Sequence, residues 1–271
     1  MCGIIGGVVV FLHKSFDFYR RFLMKIALIG YGKMGKTIDR IAINRGHEIV
    51  SIIDINNQED FDSDAFRSAD IAIEFTTPAT AVGNYHKAFA QGVPVVSGST
   101  GWTAQMPEIK QLCETSGATF FWTSNFSLGV NIFFALNKYL SALMDNFANY
   151  TPEMKEIHHI HKLDHPSGTA ITLADGLIEK VGRINRWAEE NQADDTLIIN
   201  HEREGEVPGT HIISWDSDVD TITIEHRAKT REGFALGAVV AAEWVNGKKG
   251  FLTMDEMMHD IVKNSHLLDI K

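Results

Sequence analysis

The chain has 271 residues, 44% of them hydrophobic and 22% charged, which is enough to bury one large core or two modest ones and too apolar for a disordered polymer. Its formal charge of -10 excludes nucleic acid and anionic membrane as main partners, since both reward basic surfaces, and obliges any anionic ligand to meet a local positive site. Two cysteines, Cys2 and Cys113, supply neither a disulfide framework nor a paired-cysteine zinc or redox motif, so a reducing compartment, the cytoplasm, is expected.

Residues 1–23 stand apart from the rest of the chain. The apolar run 4–12 is too short to span a bilayer, and it lacks the basic residues ahead and the small-residue cleavage site behind that mark a signal peptide. Met1-Cys2-Gly3-Ile4-Ile5-Gly6 is similar to the start of glutamine amidotransferases with an N-terminal cysteine nucleophile. Such a domain needs far more chain than precedes Lys25, where a different pattern begins. The segment therefore reads as an extension ahead of Met24, dispensable for folding and activity.

From there the chain alternates. Residues 25–30 form a short apolar strand, and residues 36–44 place Ile38, Ile41 and Ala42 on one helical face. Residues 48–53 make a second strand ending at Asp54, and the polar stretch 56–68 offers few core residues. Strands follow at 71–75, 93–97 and 119–122, separated by helical stretches at 80–91 and 105–115. Strands alternating with helices predict a doubly wound parallel sheet, the α/β Rossmann class. The pattern changes near residues 125–130: a long helix (130–147) leads to strands at 154–161, 195–202, 210–216 and 220–227, with one amphipathic helix at 170–181. Strands grouped in this way predict a second α+β domain with an open mixed sheet.

Gly30-Tyr31-Gly32-Lys33-Met34-Gly35 fits G-x-G-x-x-G between the first strand and helix. In that setting Gly30 permits a tight turn, Gly32 admits a pyrophosphate to the backbone, Gly35 lets the helix pack, and the helix N-terminus faces the phosphates. Asp54, nineteen residues after Gly35, stands where an acid binds the adenosine ribose hydroxyls; the plainer reading is that it merely ends a strand. Thr76-Thr77-Pro78 and Gly98-Ser99-Thr100-Gly101 are small, hydroxyl-rich loops at strand ends, suited to a nicotinamide edge and equally to ordinary turns.

The densest chemistry lies in Glu156-Ile157-His158-His159-Ile160-His161-Lys162-Leu163-Asp164-His165-Pro166-Ser167-Gly168-Thr169-Ala170. The histidines could hold a metal, although alternation along a strand 154–161 would divide His158 from His159 and His161. They could be structural residues at a strand edge. Or the segment is an anion site with an acid beside it, Ser167, Gly168 and Thr169 opening a helix whose N–H groups hold a carboxylate while a histidine and a lysine add charge and a proton. No metal is expected on this last reading.

That segment is similar to the signature of the 4-hydroxy-tetrahydrodipicolinate reductase (dihydrodipicolinate reductase) family. The resemblance runs from Met24 almost to the C-terminus, through Glu74-Phe75-Thr76, Ser124-Asn125-Phe126-Ser127, Gly129-Val130-Asn131 and Val207-Pro208-Gly209-Thr210. It implies NAD(P)H-dependent reduction of 4-hydroxy-tetrahydrodipicolinate with loss of water, in lysine and diaminopimelate biosynthesis. His158 and Lys162 are the implied catalytic residues. His159, Gly168 and Thr169, with Ser167, bind substrate; Gly30 to Gly35, Asp54, Gly98, Ser99, Thr100, Thr123, Ser124, Asn125 and Phe126 bind cofactor. The implied architecture is a dinucleotide domain of residues 24–127 with 240–271, a returning segment that begins at Gly250-Phe251-Leu252-Thr253-Met254. A substrate-binding and oligomerisation domain of residues 128–239 builds a homotetramer.

Two departures bear on the cofactor. Ile55 and Asn56, not arginine, follow Asp54, and Thr77 replaces an arginine that often follows the Phe-Thr strand end, so NADH is favoured over NADPH. Two rivals remain at this level. A sugar-oxidising dehydrogenase would carry Glu-Lys-Pro where Pro94-Val95-Val96-Ser97-Gly98 stands, and a nucleotide sensor would have no need of His158, Lys162 and the Ser167-Gly168-Thr169 turn together.

Overall fold

The computed structural model describes residues 23–190, 193–230 and 232–264, so the expected extension lies outside the described residues except for Leu23. The chain divides into two compact units, one running to Ser124 and resuming at Ala238, the other Asn125–Gly237. Among the described residues no helix is long and apolar enough to cross a membrane.

The first unit is built on six parallel strands in the order β11-β5-β4-β3-β1-β2. These are β1 (Lys25–Ile29), β2 (Glu48–Ile53), β3 (Ile71–Glu74), β4 (Val95–Ser97), β5 (Thr119–Trp122) and β11 (Gly250–Thr253). Their runs are almost wholly apolar because a parallel sheet covered on both faces leaves no strand face for water. The helices between them are α1 (Lys33–Asn44), α2 (Asp64–Arg67), α3 (Pro78–Ala90) and α4 (Met106–Ser116). Chain order reverses at β1, with β2 on one side and β3 on the other, so the loops after β1 and β3 emerge at the switch point where such sheets bind ligands.

The polar stretch 56–68, expected to offer few core residues, supplies two aromatic ones. A 3-10 turn (Gln58–Asp62) and α2 carry Phe61 and Phe66 into the core, their rings 5.0 Å apart and edge to face. Two aromatic residues in a short polar run form no period, so they escape a reading based on periodicity.

In the second unit the sheet is mixed, in the order β10-β9-β6-β8-β7. It comprises β6 (Thr151–His158), β7 (Arg186–Ala188), β8 (Thr196–Arg203), β9 (Thr210–Asp216) and β10 (Thr221–Arg227). Helices α5 (Leu128–Met144) and α6 (Gly168–Ile178) pack with Met154, Ile199, Ile213 and Trp215 into one core. Helix α7 (Glu232–Val245) leads back to the first unit, and α8 (Met254–Asn264) follows β11. Neither β7 nor α7 was expected. α7 buries Ala235, Ala238, Val239, Ala241, Ala242 and Val245, and a helix apolar on most sides shows no stripe.

The clearest correction concerns β6, which ends at His158 rather than at residue 161. His159 to Lys162 form a turn closed by a hydrogen bond from Lys162 N–H to the His159 carbonyl, so strand alternation does not govern His159 or His161.

Phe66 is fully buried, and replacing it removes most of an aromatic side chain from a packed site. Phe66→Ala should lower unfolding stability by about 3–5 kcal/mol, read from urea denaturation. A loss under ~1 kcal/mol would show that the turn is not part of the core.

Candidate active site

In the first unit the glycine turn is dictated by close backbone approach. Gly30 has φ +92°, and a Cβ there would stand 2.2 Å from the Phe75 carbonyl oxygen; a Cβ on Gly35 would stand 2.2 Å from the Gly30 carbonyl oxygen. No larger residue fits either place. Gly32 caps α1 without a side-chain hydrogen bond, and the first turn of that helix holds no acid. Helices usually satisfy their first N–H groups with Ser, Thr, Asp or Asn and favour acids there. Here no side chain caps the first N–H groups of the helix, and a Cβ on Gly32 would touch nothing within 4 Å. The turn thus fits an anionic group such as a pyrophosphate.

Asp54 is exposed just after β2, one carboxylate oxygen accepting from Tyr31 N–H at 3.3 Å and the other from Ile55 N–H at 2.8 Å. The glycine turn and the acid are therefore joined directly. Ile55 is 85% exposed. The loop after β4 has Ser99 buried and Thr100 exposed, and Ser99 Oγ accepts from Thr76 N–H at 2.8 Å, so the loops after β3 and β4 are tied together. Thr123 and Ser124 close the first unit. Asn125 and Phe126 open the second, where Asn125 Oδ1 accepts from Ser127 N–H at 2.9 Å and the Phe126 side chain is buried.

In the second unit, alternation along β6 sets Met154, Glu156 and His158 on the buried face. Register then assembles a cluster. Glu156 lies opposite His211 of β9, and His158 opposite Arg203 of β8. The Glu156 carboxylate is buried, with Ser167 N–H donating to Oε2 at 3.1 Å, His158 Nδ1 at 3.5 Å and His211 Nε2 at 3.8 Å from the same oxygen, and Arg203 Nη1 3.6 Å from Oε1. The His158 and His211 rings meet edge to face at 5.2 Å. Gly209, at φ +151°, leaves room for the His158 imidazole, since a Cβ there would lie 3.1 Å from His158 Nε2.

Arg203 also holds the segment that follows β6, donating from Nε to the Lys162 carbonyl at 3.2 Å and from Nη2 to the Asp164 carbonyl at 2.8 Å. Lys162 Nζ donates to Asp164 Oδ2 at 2.6 Å, which holds the Asp164 carboxyl below its usual range. Ser167 differs from expectation: its N–H goes to Glu156, and its Oγ accepts from Ala170 N–H and pairs with His211 Nε2, both at 3.2 Å. It caps α6 from inside, leaving Gly168 and Thr169 as the more accessible residues of that turn. The sequence reading passed over Glu156, Arg203 and His211. Strand register is the signal that unites them, and it is not visible in one sequence.

His161 pairs with Glu206 on the surface at 3.3 Å, and His165 with Glu189 at 2.6 Å. His201 Nδ1 lies 3.3 Å from the same Glu189 oxygen, its ring stacked on His165 at 4.3 Å. Parallel imidazole planes do not converge on one ion, so this exposed trio is a carboxylate shared by two rings. His159 is half-buried with an unpartnered Nδ1.

Burial pushes both inner imidazoles down. His158 falls below its ordinary value, with Glu156 opposing and Lys162, Arg203 and His159 adding to the effect. His211 falls to about 4 by burial, reinforced by His158 and opposed by Glu156. An unfolded His211 takes its proton near 6.5, whereas the folded one refuses it until about 4, so stability present above pH 6.5 drains away as pH falls toward 4. His211 alone should contribute a loss of roughly 2 kcal/mol between pH 7 and pH 5, seen in urea denaturation at both values. His211→Asn should flatten that dependence; an unchanged slope would show that the ring protonates freely in the folded protein.

Against known proteins, residues 24–126 match the family described as dihydrodipicolinate reductase, N-terminus, and residues 129–258 match dihydrodipicolinate reductase, C-terminus. A 4-hydroxy-tetrahydrodipicolinate reductase of Christiangramia forsetii is 44% identical over 241 residues, covering 89% of this chain and 100% of the relative. One from Archaeoglobus fulgidus is 34% identical over 265 residues, covering 87% and 100%. Among solved structures, a dipicolinate-bound dihydrodipicolinate reductase from a Paenisporosarcina species is similar in fold, with a TM-score of 0.69 at 20% identity over 86% of this chain and 98% of that one.

Proposed function

The chain belongs to the dihydrodipicolinate reductase family, and from that premise we propose how its residues divide the work of the reaction. The reaction is the NAD(P)H-dependent reduction of 4-hydroxy-tetrahydrodipicolinate to tetrahydrodipicolinate with loss of water, a step of lysine and diaminopimelate biosynthesis. The nicotinamide nucleotide supplies the hydride when bound. In our reading the uncapped start of α1 at Gly32 to Gly35 holds its pyrophosphate, Asp54 its adenosine ribose, and the loops at Gly98 to Thr100 and Thr123 to Phe126 the remainder.

The observation that carries the catalytic assignment is the gathering of His158 and the N-terminus of α6 around buried Glu156, with the charge of Lys162 acting on His158. His158 is neutral at physiological pH, because burial opposes its charge, and it exchanges a proton at Nε2, the edge facing Gly209. Lys162, pinned to Asp164, draws the dianionic substrate in and supplies the proton that must accompany hydride addition. Gly168, Thr169 and His159 hold a substrate carboxylate, while Ser167 sets the angle of the turn from beneath.

The homotetramer and the cytoplasmic setting belong to the same proposal. Ile132, Leu136, Tyr139 and Leu143 recur on one face of α5, each at least 45% exposed, and a stripe of this kind on a folded unit suits a subunit contact. The two cysteines demand no oxidising compartment.

His158→Gln and Lys162→Ala should each lower kcat about a hundredfold or more with nucleotide affinity nearly unchanged, whereas Thr169→Val should chiefly raise the substrate KM. Steady-state kinetics with freshly made substrate separates these, and near-normal turnover in both of the first two variants would overturn the assignment.

Asp54, followed by Ile55 and Asn56, offers the 2′-phosphate of NADPH a negative charge and no arginine. NADH should therefore serve at least as well as NADPH when kcat/KM is compared. A tenfold preference for NADPH, about 1.4 kcal/mol, would mean that Lys33 or Lys36 reaches that phosphate.

A further inference from the structure

Glu74, at the carboxyl end of β3, is fully buried and has no role in the division of work given above. Its carboxyl group is surrounded by hydroxyls. Ser97 donates to Oε2 at 2.6 Å and Ser99 to Oε1 at 2.9 Å, and Thr76 also donates to Oε1. Burial pushes the carboxyl up from the usual carboxylate range, and those three donors oppose the shift.

Each of these hydroxyls has a single proton, so aiming it at Glu74 turns its oxygen into an acceptor for everything else. Ser99 Oγ takes Thr76 N–H at 2.8 Å, and Ser97 Oγ takes Ser99 N–H at 3.2 Å and the Tyr85 hydroxyl at 2.7 Å. Thr76 Oγ1 takes the Thr80 hydroxyl at 3.1 Å and Asn84 Nδ2–H at 3.3 Å. One carboxyl group that accepts at both oxygens thus sets the direction of the bonds that join the loop after β3, the loop after β4 and the start of α3. The Ser99 carbonyl is drawn the other way, accepting from Trp102 Nε1 and Trp122 Nε1, each at 2.8 Å. Because the peptide is planar and trans, that leaves Thr100 N–H pointing away from the tryptophans.

We propose that Glu74 is a positioning residue for the nicotinamide nucleotide: its buried carboxyl group fixes the loops at Thr76 and at Gly98 to Thr100 in the form the nucleotide meets. The proposal deepens the reading of the first unit as the nucleotide-binding unit and rests on it. A glutamine of the same size cannot replace the acid, since its amide N–H must point at one of the hydroxyls. That hydroxyl then reverses and strands Thr76 N–H, Ser99 N–H or the Tyr85 hydroxyl.

The test is fluorescence titration of NADH into the full chain without substrate, alongside thermal unfolding and steady-state kinetics. Glu74→Gln should raise the NADH Kd tenfold or more and raise the nucleotide KM similarly. The substrate KM, and kcat at saturating nucleotide, should stay within about threefold of the unsubstituted protein. Glu74→Asp, which keeps two carboxyl oxygens as acceptors for the hydroxyls, should bind NADH more tightly than Glu74→Gln. A Glu74→Gln protein that melts earlier but binds NADH within twofold of the unsubstituted chain would make Glu74 merely structural and overturn the proposal. If Glu74→Gln does not fold, Ser97→Ala removes one buried donor and should weaken NADH at least threefold; unchanged affinity there overturns the proposal as well. Failure of the unsubstituted protein to bind either nucleotide would instead sink the reading of the first unit, and the proposal with it.

Discussion

A carboxyl group taken out of water must be given hydrogen-bond donors, and that requirement organises both halves of this chain. Glu74 ends a central strand of the first unit and Glu156 lies near the end of the central strand of the second, each fully buried. Around Glu74 the donors are hydroxyls, so two loops and a helix start are drawn to one point. Around Glu156 the donor is Ser167 N–H, with His158, His211 and Arg203 standing 3.5–3.8 Å away as charge partners, so the strand end that bears His158 and a helix N-terminus are drawn together. Neither glutamate need touch a ligand to decide where ligand-facing groups stand.

The two helix starts show the same economy from opposite directions. α1 begins at Gly32 with no capping side chain and no acid in its first turn, which leaves its N–H groups for an anion. α6 begins at Ser167, whose Oγ accepts from Ala170 N–H, so one donor is satisfied internally while Gly168 and Thr169 remain toward the outside. An uncapped turn suits a pyrophosphate spread over several donors, and a half-capped turn suits a single carboxylate.

Charge is handled locally in a chain whose net charge is -10. Lys162 and Arg203 stand on the segment and strand that surround His158, and both lower the proton affinity of that ring. Arg203 serves twice, neutralising Glu156 and binding the carbonyls of Lys162 and Asp164, so the cation that balances the buried acid also fixes the loop bearing Lys162. Removing either role would disturb the other, which makes Arg203 a poor site for conservative exchange to lysine, whose single ammonium cannot make the same fork.

By itself the sequence determined the parts whose physics is local. The apolar runs of β1 to β5, the glycine turn at Gly30 to Gly35 and the Ser-Gly-Thr start of α6 announce themselves because period, backbone freedom and helix capping act over a few residues. It also pointed to His158 and Lys162 through their density in one segment. It misjudged the end of β6, did not single out Phe61 and Phe66 and carried no sign of α7, because a turn after a strand, two isolated aromatics and a uniformly apolar helix leave no periodic mark. Only tertiary structure could bring His211 opposite Glu156 and Arg203 opposite His158, since strand register is set by how the sheet packs. For the same reason the inward turn of Ser167, which follows from a buried acid eleven residues before it, became legible only once β6 and α6 were folded against each other.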